Sequence, residues 1–194
     1  MHRIAILLLA AGSSSRMLGR DKLMEQIDDE PLIARVSRRA ALTGLPCYIT
    51  LPSLNHPRAD WIGTAIPVPV ANAAEGMAAS IRTGVAALAD EFKAVMILPT
   101  DLPDLETQDL LHIAARFNDP QGPILRASSS EGTPGHPVLF PQRYFKDLQA
   151  LTGDVGAREV LANAQVRLVP LPGQHAITDL DTPEAWAAWR ANSS

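Results

Sequence analysis

Apolar positions along the chain fall into two rhythms. Two unbroken runs, Ile4–Ala11 and Ala94–Leu98, have the pattern of strands buried on both faces of a parallel sheet. Elsewhere apolar residues recur at helical spacing. Ile33, Val36 and Ala40 mark a first helix ending near Gly44, with Pro31 at its first position behind Asp29 and Glu30. Ile81, Val85 and Leu88 mark a second, from Gly76 to about Ala89, and Leu110, Ile113, Ala114 and Phe117 a third. Shorter β segments are predicted at Cys47–Leu51, Ile66–Val70, Pro123–Ala127, Pro137–Phe140 and Val166–Pro170, with a brief one near Ile177. A helix from about Val155 to Ala162 and a terminal helix from Pro183, packed through Trp186 and Trp189, complete the reading.

Strands alternating with helices predict an α/β fold with helices on both faces of a sheet. No repeat or linker divides the chain, so residues 1–194 read as one domain. The Ser/Gly-rich stretch Ser128–Gly135 has little apolar material to anchor it and is predicted to be the most mobile loop.

Composition narrows the function. With 46% hydrophobic and 20% charged residues and a formal net charge of −4, the chain carries no footprint for nucleic acid or an anionic membrane. No stretch reaches the ~20 apolar residues of a membrane span. Only His2 and Arg3 precede the first apolar run, too little for a secretory leader, so the expected location is cytoplasmic. The single cysteine, Cys47, excludes an internal disulfide and a cysteine-based zinc site, and its apolar run makes it a core side chain.

The first run breaks into Gly12-Ser13-Ser14-Ser15-Arg16, with Lys22 further on. A small-residue loop at the carboxyl end of a buried strand offers N–H groups to an anion, and the two cations add positive charge. This is chemistry for phosphates, and it points to a nucleotide. The alternative is an ordinary strand-to-loop turn. Spacing excludes the two best-known phosphate loops: no second Gly follows Gly12 as a dinucleotide fingerprint requires, and Gly19 is followed by Arg20 where a P-loop needs Lys.

Three further segments carry candidate chemistry. Asp101, after the second buried run, suits a magnesium ion shared with substrate phosphates, or else a cap for the next helix. Asp181 either joins that ion or forms a capping box with Glu184. Gly153-Asp154-Val155-Gly156-Ala157-Arg158 opens a helix that holds a second anion, or is simply capped by Asp154. His136, between Gly135 and Pro137, is by pattern a packed or surface residue. No Ser-His-Asp order, H-E-x-x-H motif or cysteine nucleophile is present. A reaction whose nucleophile is already an anion needs none of them, only positioning and charge neutralisation.

Taken together, these residues make the chain resemble the MobA-like nucleotidyltransferases, most closely the molybdenum cofactor cytidylyltransferases. The resemblance runs nearly end to end. It rests on Leu9-Ala10-Ala11-Gly12 through Arg16 to Lys22; on Asn72, Gly76-Met77 and Ser80-Ile81; on Asp101-Leu102-Pro103; and on Gly135-His136-Pro137-Val138-Leu139-Phe140, the Gly153–Arg158 segment and Asp179-Leu180-Asp181-Thr182-Pro183-Glu184. It implies a Rossmann-like three-layer sandwich with a mainly parallel mixed sheet. The implied reaction moves a nucleoside monophosphate from an NTP to a phosphorylated acceptor and releases pyrophosphate.

By that resemblance Ala10, Ala11, Gly12, Ser13, Ser14, Ser15 and Arg16 embrace the triphosphate and Lys22 neutralises it. Asn72, Gly76 and Ser80 lie near base and ribose, Asp101 and Asp181 hold magnesium, and Arg16, Lys22 and Asp101 carry catalysis. Thr100, His136, Asp154 and Arg158 face the acceptor. The chain departs from the family in two places. Thr100 stands where many relatives have Gly, its hydroxyl available to the acceptor or a metal-bound water, and Met17-Leu18-Gly19-Arg20 is one residue longer than the commonest form.

Ala10-Ala11-Gly12 resembles the cytidylyl branch, whereas the guanylyl branch carries Ala-Gly-Gly. The expected substrates are therefore CTP and molybdopterin-type molybdenum cofactor, with Mg2+. The alternatives are another NTP with a sugar phosphate or other small phosphate, or a non-catalytic module that delivers cofactor to a molybdenum hydroxylase apoenzyme.

Overall fold

A computed structural model describes residues 3–154 and 156–192. Its main sheet has seven strands: β1 (Ile4–Leu9), β4 (Cys47–Leu51), β5 (Ile66–Pro69), β6 (Ala94–Pro99), β7 (Ile124–Ser128), β8 (Pro134–Pro141) and β9 (Val166–Pro170). Their order across the sheet is β5-β4-β1-β6-β8-β7-β9, and only β8 runs against its neighbours. β1 lies in the middle, Leu9 beside Thr50 of β4 and Pro99 of β6, so three parallel strands end at one level. In an open α/β sheet ligands gather at this carboxyl edge. The expected fold class, an α/β sandwich with a mainly parallel mixed sheet, is the one observed. Among the described residues no helix is long and apolar enough to cross a membrane.

Two cores flank the sheet. In β1, Ile4, Ile6 and Leu8 face one core, where α1 (Leu32–Ala41), α3 (Thr107–Ala114) and α6 (Pro183–Asn192) bury Ile33, Val36, Ile113 and Trp186. Leu7 faces the other, with Ile81 and Val85 of α2 (Met77–Ala86), Leu148 of α4 (Phe145–Gln149) and Val160 of α5 (Arg158–Ala162). The period-two alternation of strand side chains lets one continuous apolar run serve both cores. α2 comes close because Gly84 lies over Leu7: a Cβ there would stand 2.6 Å from the leucine methyls. Cys47 is buried, and burial pushes its thiol up to about 12, so it is a core side chain and not a nucleophile.

Several local readings are corrected. Pro31 pairs in a two-stranded hairpin, β2 (Gln26–Ile27) with β3 (Glu30–Pro31), and precedes α1 as its cap residue instead of being its first residue. Around Ile177 there is no strand. Turns closed by Ile177 N–H and Thr178 N–H on the Gln174 carbonyl occupy the segment. It lies against β8, where His136 N–H donates to the Ala176 carbonyl (2.8 Å) and Gly135 leaves no room for a Cβ.

α5 begins only at Arg158, and Val155 lies outside the described residues. Asp154 does not cap it; its carboxylate accepts from Met77 N–H (3.2 Å) and caps α2 instead. The Ser128–Gly135 stretch is better anchored than its composition suggests, with Ser128 and Ser129 buried and Ser130 N–H donating to the Gly173 carbonyl (3.0 Å).

The loop after β1 is held from beneath by a buried arginine that the sequence pattern did not single out. Arg58 sits in a 3₁₀ turn (Pro57–Trp61) begun by Pro57 and is 2% exposed. Its guanidinium donates to the carbonyls of Ala10 (2.5 Å) and Gly12 (2.8 Å), to Ser14 Oγ (3.3 Å) and, through two nitrogens, to both oxygens of Asp21 (2.7 Å each). Burial alone would raise the Asp21 carboxyl. The Arg58 hydrogen bonds and charge, with the Leu23 N–H, outweigh it and hold Asp21 below the usual carboxylate range.

Replacing Arg58 with Met leaves Asp21 and two carbonyls without their donor. The expected cost is on the order of 3 kcal/mol of folding stability. Urea unfolding of Arg58→Met checks this, and a loss below about 1 kcal/mol would contradict the clamp.

Candidate active site

A cleft of about 400 Å³ opens at the carboxyl ends of β1 and β6. One wall is the loop from Ala11 to Arg16. Among the described residues the backbone N–H groups of Gly12, Ser13 and Ser14 donate to nothing, although the loop's carbonyls are held by Arg58. The clamp thus grips the carbonyl side of the loop and leaves its donors for an anion. Ser14 adopts a left-handed conformation (φ 54°), and its hydroxyl accepts from Lys22 N–H (3.2 Å) while donating to Asp21 (3.3 Å). Met17 is fully buried and pins the far end of the loop.

At the floor, Lys22 Nζ lies 2.5 Å from both Asp101 Oδ2 and Asp181 Oδ1. Asp101 is 9% exposed. Desolvation would lower the Lys22 ammonium, but the two carboxylates dominate and raise it. Burial likewise works to raise Asp181, yet Lys22, Arg16 and a hydrogen bond with Asp101 hold it below the usual range. Arg16, largely exposed, reaches over the rim to Asp181 Oδ2 at 2.5 Å. Nearby Asp179 moves the other way, raised first by burial and then by the charges of Asp181 and Asp101.

The backbone brings these residues together from distant parts of the chain. Leu180 N–H donates to the Asp101 carbonyl (3.1 Å), which lays the Asp179–Asp181 segment beside the end of β6. Thr182 Oγ1, not Asp181, caps α6 by accepting from Ala185 N–H (3.2 Å). Asp101 caps no helix either; α3 is capped by Glu106 and Asp109. Beyond Asp101 the chain is fixed by buried Arg39, which donates to the carbonyls of Pro103 (2.6 Å) and Leu105 (2.8 Å). Thr100 lines the cleft, but its hydroxyl donates to the Leu9 carbonyl (2.7 Å) and ties β6 to β1, so it offers no donor to an acceptor.

The opposite wall carries Gly76, Met77, Ser80 and Asp154. Glu75, paired with Arg82 (2.8 Å), accepts from Gly153 N–H (3.3 Å), so the Gly153–Asp154 turn is fastened to the start of α2. Four residues expected in the site lie elsewhere. Ala10 is 1% exposed, and its side chain belongs to the core. Asn72 is exposed at the head of the turn before α2, off the lining. His136 and Arg158 also lie off the cleft wall. His136 still senses it: burial and the charges of Arg126 and Arg158 lower its imidazole to about 4, against an opposing pull from Asp101. It is therefore neutral at pH 7, and its Nδ1 is buried without a partner among the described residues.

Among the described residues no group of three or more His, Cys, Asp or Glu side chains is arranged to hold a metal. Asp101 and Asp181 nevertheless converge on one cation, the Lys22 ammonium. Two carboxylates plus substrate phosphate and water is a donor set that fits magnesium. Arg58, Asp21 and Arg39 are the structural contributors that periodicity did not reveal. For Arg58 the available signal was a polar residue directly after Pro57, indistinguishable there from a solvated loop position.

Comparison with known proteins places this architecture. No curated protein sequence matches the chain. Among solved structures, Rv0371c from Mycobacterium tuberculosis H37Rv superposes with a TM-score of 0.84 at 24% identity, covering 99% of this chain and 98% of that one. A structure of Rv0371C in complex with manganese gives a TM-score of 0.80 at 21% identity, over 96% and 97% of the two chains. Molybdopterin-guanine dinucleotide biosynthesis protein A from Archaeoglobus fulgidus gives 0.71 at 14% identity, over 98% and 100%. Residues 6–169 match the MobA-like NTP transferase domain, and the chain belongs to that family of nucleotidyltransferases.

Proposed function

We propose that this nucleotidyltransferase transfers CMP from CTP to the terminal phosphate of molybdopterin-type molybdenum cofactor. The observation that carries the catalytic reading is the Asp101–Lys22–Asp181 cluster at the floor of a cleft walled by free N–H donors. An acceptor phosphate oxygen attacks the α-phosphorus of CTP and forms the new P–O bond. The bond from that phosphorus to the β-phosphate bridging oxygen breaks, and pyrophosphate leaves with the electron pair. The attacking oxygen is already anionic, so no general base is needed; what the site supplies is alignment and positive charge.

The amides of Gly12, Ser13 and Ser14, with Ser15 beside them, receive the triphosphate, and Arg16 closes over it from the rim. Asp101 and Asp181 would hold Mg2+, which neutralises phosphate charge and polarises the α-phosphoryl group. Lys22 then transfers its ammonium from the carboxylates to the phosphates, where charge grows on the leaving group. Gly76 and Ser80 flank the nucleoside at the start of α2. Asp154, on the opposite wall of the cleft, bounds the acceptor side. Handing the product to a molybdenum hydroxylase apoenzyme belongs to the same proposal, as does a cytoplasmic location.

The choice of CTP is supported by the packing of Ala11. Ala11 lines the cleft, is 3% exposed as a residue, and packs with Val70 and Ala79. A guanylyl-type Gly would open that space for a purine.

Two outcomes are expected. Asp101→Asn lowers CTP-dependent pyrophosphate release by on the order of 10²–10³ while the circular dichroism spectrum is unchanged. Near-normal turnover in a folded variant would remove Asp101 from the chemistry. In competition at equal magnesium and acceptor, CTP is used in preference to GTP by roughly 10–200-fold, the range a single methyl provides. Ala11→Gly narrows that preference. Equal or faster use of GTP by the unaltered enzyme would overturn the cytidylyl reading.

A further inference from the structure

The end of β1 is gripped from both sides by buried hydroxyls. Beside β4, Thr50 is fully buried; its Oγ1 accepts from Ala10 N–H (3.3 Å) and donates to the Leu8 carbonyl (3.3 Å). The same Ala10 N–H also donates to the Thr50 carbonyl at 3.1 Å, so the backbone already holds that side. At the end of β6 the balance is reversed. Thr100 is 1% exposed, and its N–H stands 3.3 Å from the Leu9 carbonyl, just beyond the ordinary range for such a bond. Its hydroxyl donates to the same oxygen at 2.7 Å. Here the side chain makes the junction.

Two strand ends meet at this junction, and each carries one half of the cleft. Leu9 leads through Ala10 into the loop whose Gly12, Ser13 and Ser14 amides have no partner among the described residues. Thr100 leads directly into Asp101, whose carbonyl accepts from Leu180 N–H (3.1 Å) and so carries Asp181 with it. Lys22 and Arg16 also join the two halves, through the carboxylates of Asp101 and Asp181. In the reaction proposed above those contacts are exchanged for substrate. The Thr100 hydroxyl and the Leu9 carbonyl are taken up by no substrate group, so their bond persists.

We propose that Thr100 is a positioning residue: through the Leu9 carbonyl its hydroxyl fixes the spacing between the loop after β1 and Asp101. That spacing lets one divalent cation be held by the carboxylates and by a nucleotide phosphate together. A misplacement of about 1 Å costs a site of this kind on the order of 10²-fold, and loosening one bond while its weaker neighbour remains costs less, about tenfold. This inference rests on the metal-holding role proposed above for Asp101, and its test separates the two.

Nucleotide affinity is measured by calorimetry in EDTA and in excess manganese, for the unaltered protein, Thr100→Val, Thr100→Ser, Thr50→Val and Asp101→Asn. The nucleotide is CTP, or GTP should the unaltered protein bind it more tightly. The ratio of the two affinities reports how well loop and carboxylate act on one metal-bound nucleotide, and the affinity in EDTA reports the loop alone. Thr100→Val is expected to cut the ratio about tenfold, with the affinity in EDTA within twofold and the circular dichroism spectrum unchanged. Thr100→Ser restores the ratio to within about twofold. Thr50→Val, which deletes an equally buried hydroxyl on the other side of β1, leaves it within twofold. If Thr100→Val does not fold, Thr100→Ala is read in its place. An intact ratio in the folded Thr100 variant overturns the inference, as does an equal loss in Thr100→Ser or in Thr50→Val. When Asp101→Asn loses the ratio in the same experiment, that failure is confined to Thr100. A ratio near one in the unaltered protein, or one left intact by Asp101→Asn, overturns the proposed metal site and this inference together.

Discussion

The loop after β1 depends on one buried guanidinium. Arg58 reaches from a short turn beside β4 to the underside of the loop after β1, where it meets two carbonyls, a serine hydroxyl and a carboxylate. A glycine- and serine-rich loop has high conformational entropy and no side chains to pack, so it does not hold an anion-binding shape unaided. Fastening its carbonyls to a rigid cation fixes the peptide planes, and the N–H groups of Gly12, Ser13 and Ser14, residues that line the cleft, have no partner among the described residues. Asp21 keeps Arg58 from being an uncompensated buried charge. It also starts the turn that presents Lys22, because its carboxylate accepts from Leu23 N–H (3.0 Å). One ion pair therefore sets both the loop after β1 and the lysine.

The floor of the cleft follows the same economy of charge. Asp101 and Asp181 would repel one another if left alone, and at 2.5 Å each the Lys22 ammonium cancels much of that repulsion. Such a cluster suits a ligand that carries both a cation and several anionic oxygens, as in the function proposed above. When such a substrate enters, carboxylates can exchange the ammonium for the cation, and the ammonium can exchange carboxylates for phosphate. Little net charge is desolvated in the exchange, which limits the cost of closing the site. Arg39 and the Leu180 N–H hold the carboxylate segments from behind, so the exchange is expected to move side chains more than backbone.

The parts legible in the sequence were those governed by periodicity and by strand ends. The apolar runs located β1 and β6, the helical spacings located α1, α2 and α3, and the break at Gly12 marked the end of β1 and the start of the loop that lines the cleft. Long-range hydrogen bonds were not legible. Asp154 reads locally as the cap of the helix that follows it, yet its carboxylate serves a helix 77 residues earlier. Asp181 and Glu184 have capping-box spacing, but the cap is Thr182, and Asp181 is drawn to Lys22. The segment near Ile177 has strand-like composition, and the close approach of Gly135 lets it pack on β8 through turns instead. In each case a tertiary partner outcompeted the local preference, which no window of sequence contains.

Polar groups in this structure differ in how completely they are satisfied. Around the phosphate loop nearly every buried polar group has a partner, through Arg58, Asp21, Ser14 and Thr100. Elsewhere the balance changes: His136 Nδ1 is buried and unpaired among the described residues, and Arg126 and Arg158 form no ion pair among them. Unpaired buried donors and like charges are costly in a folded protein and persist where a ligand completes them. The loop's carbonyls are clamped while the N–H groups of Gly12, Ser13 and Ser14 have no partner among the described residues, a rigid cradle that an anion would complete. Groups left without internal partners favour a ligand that completes them over one that does not.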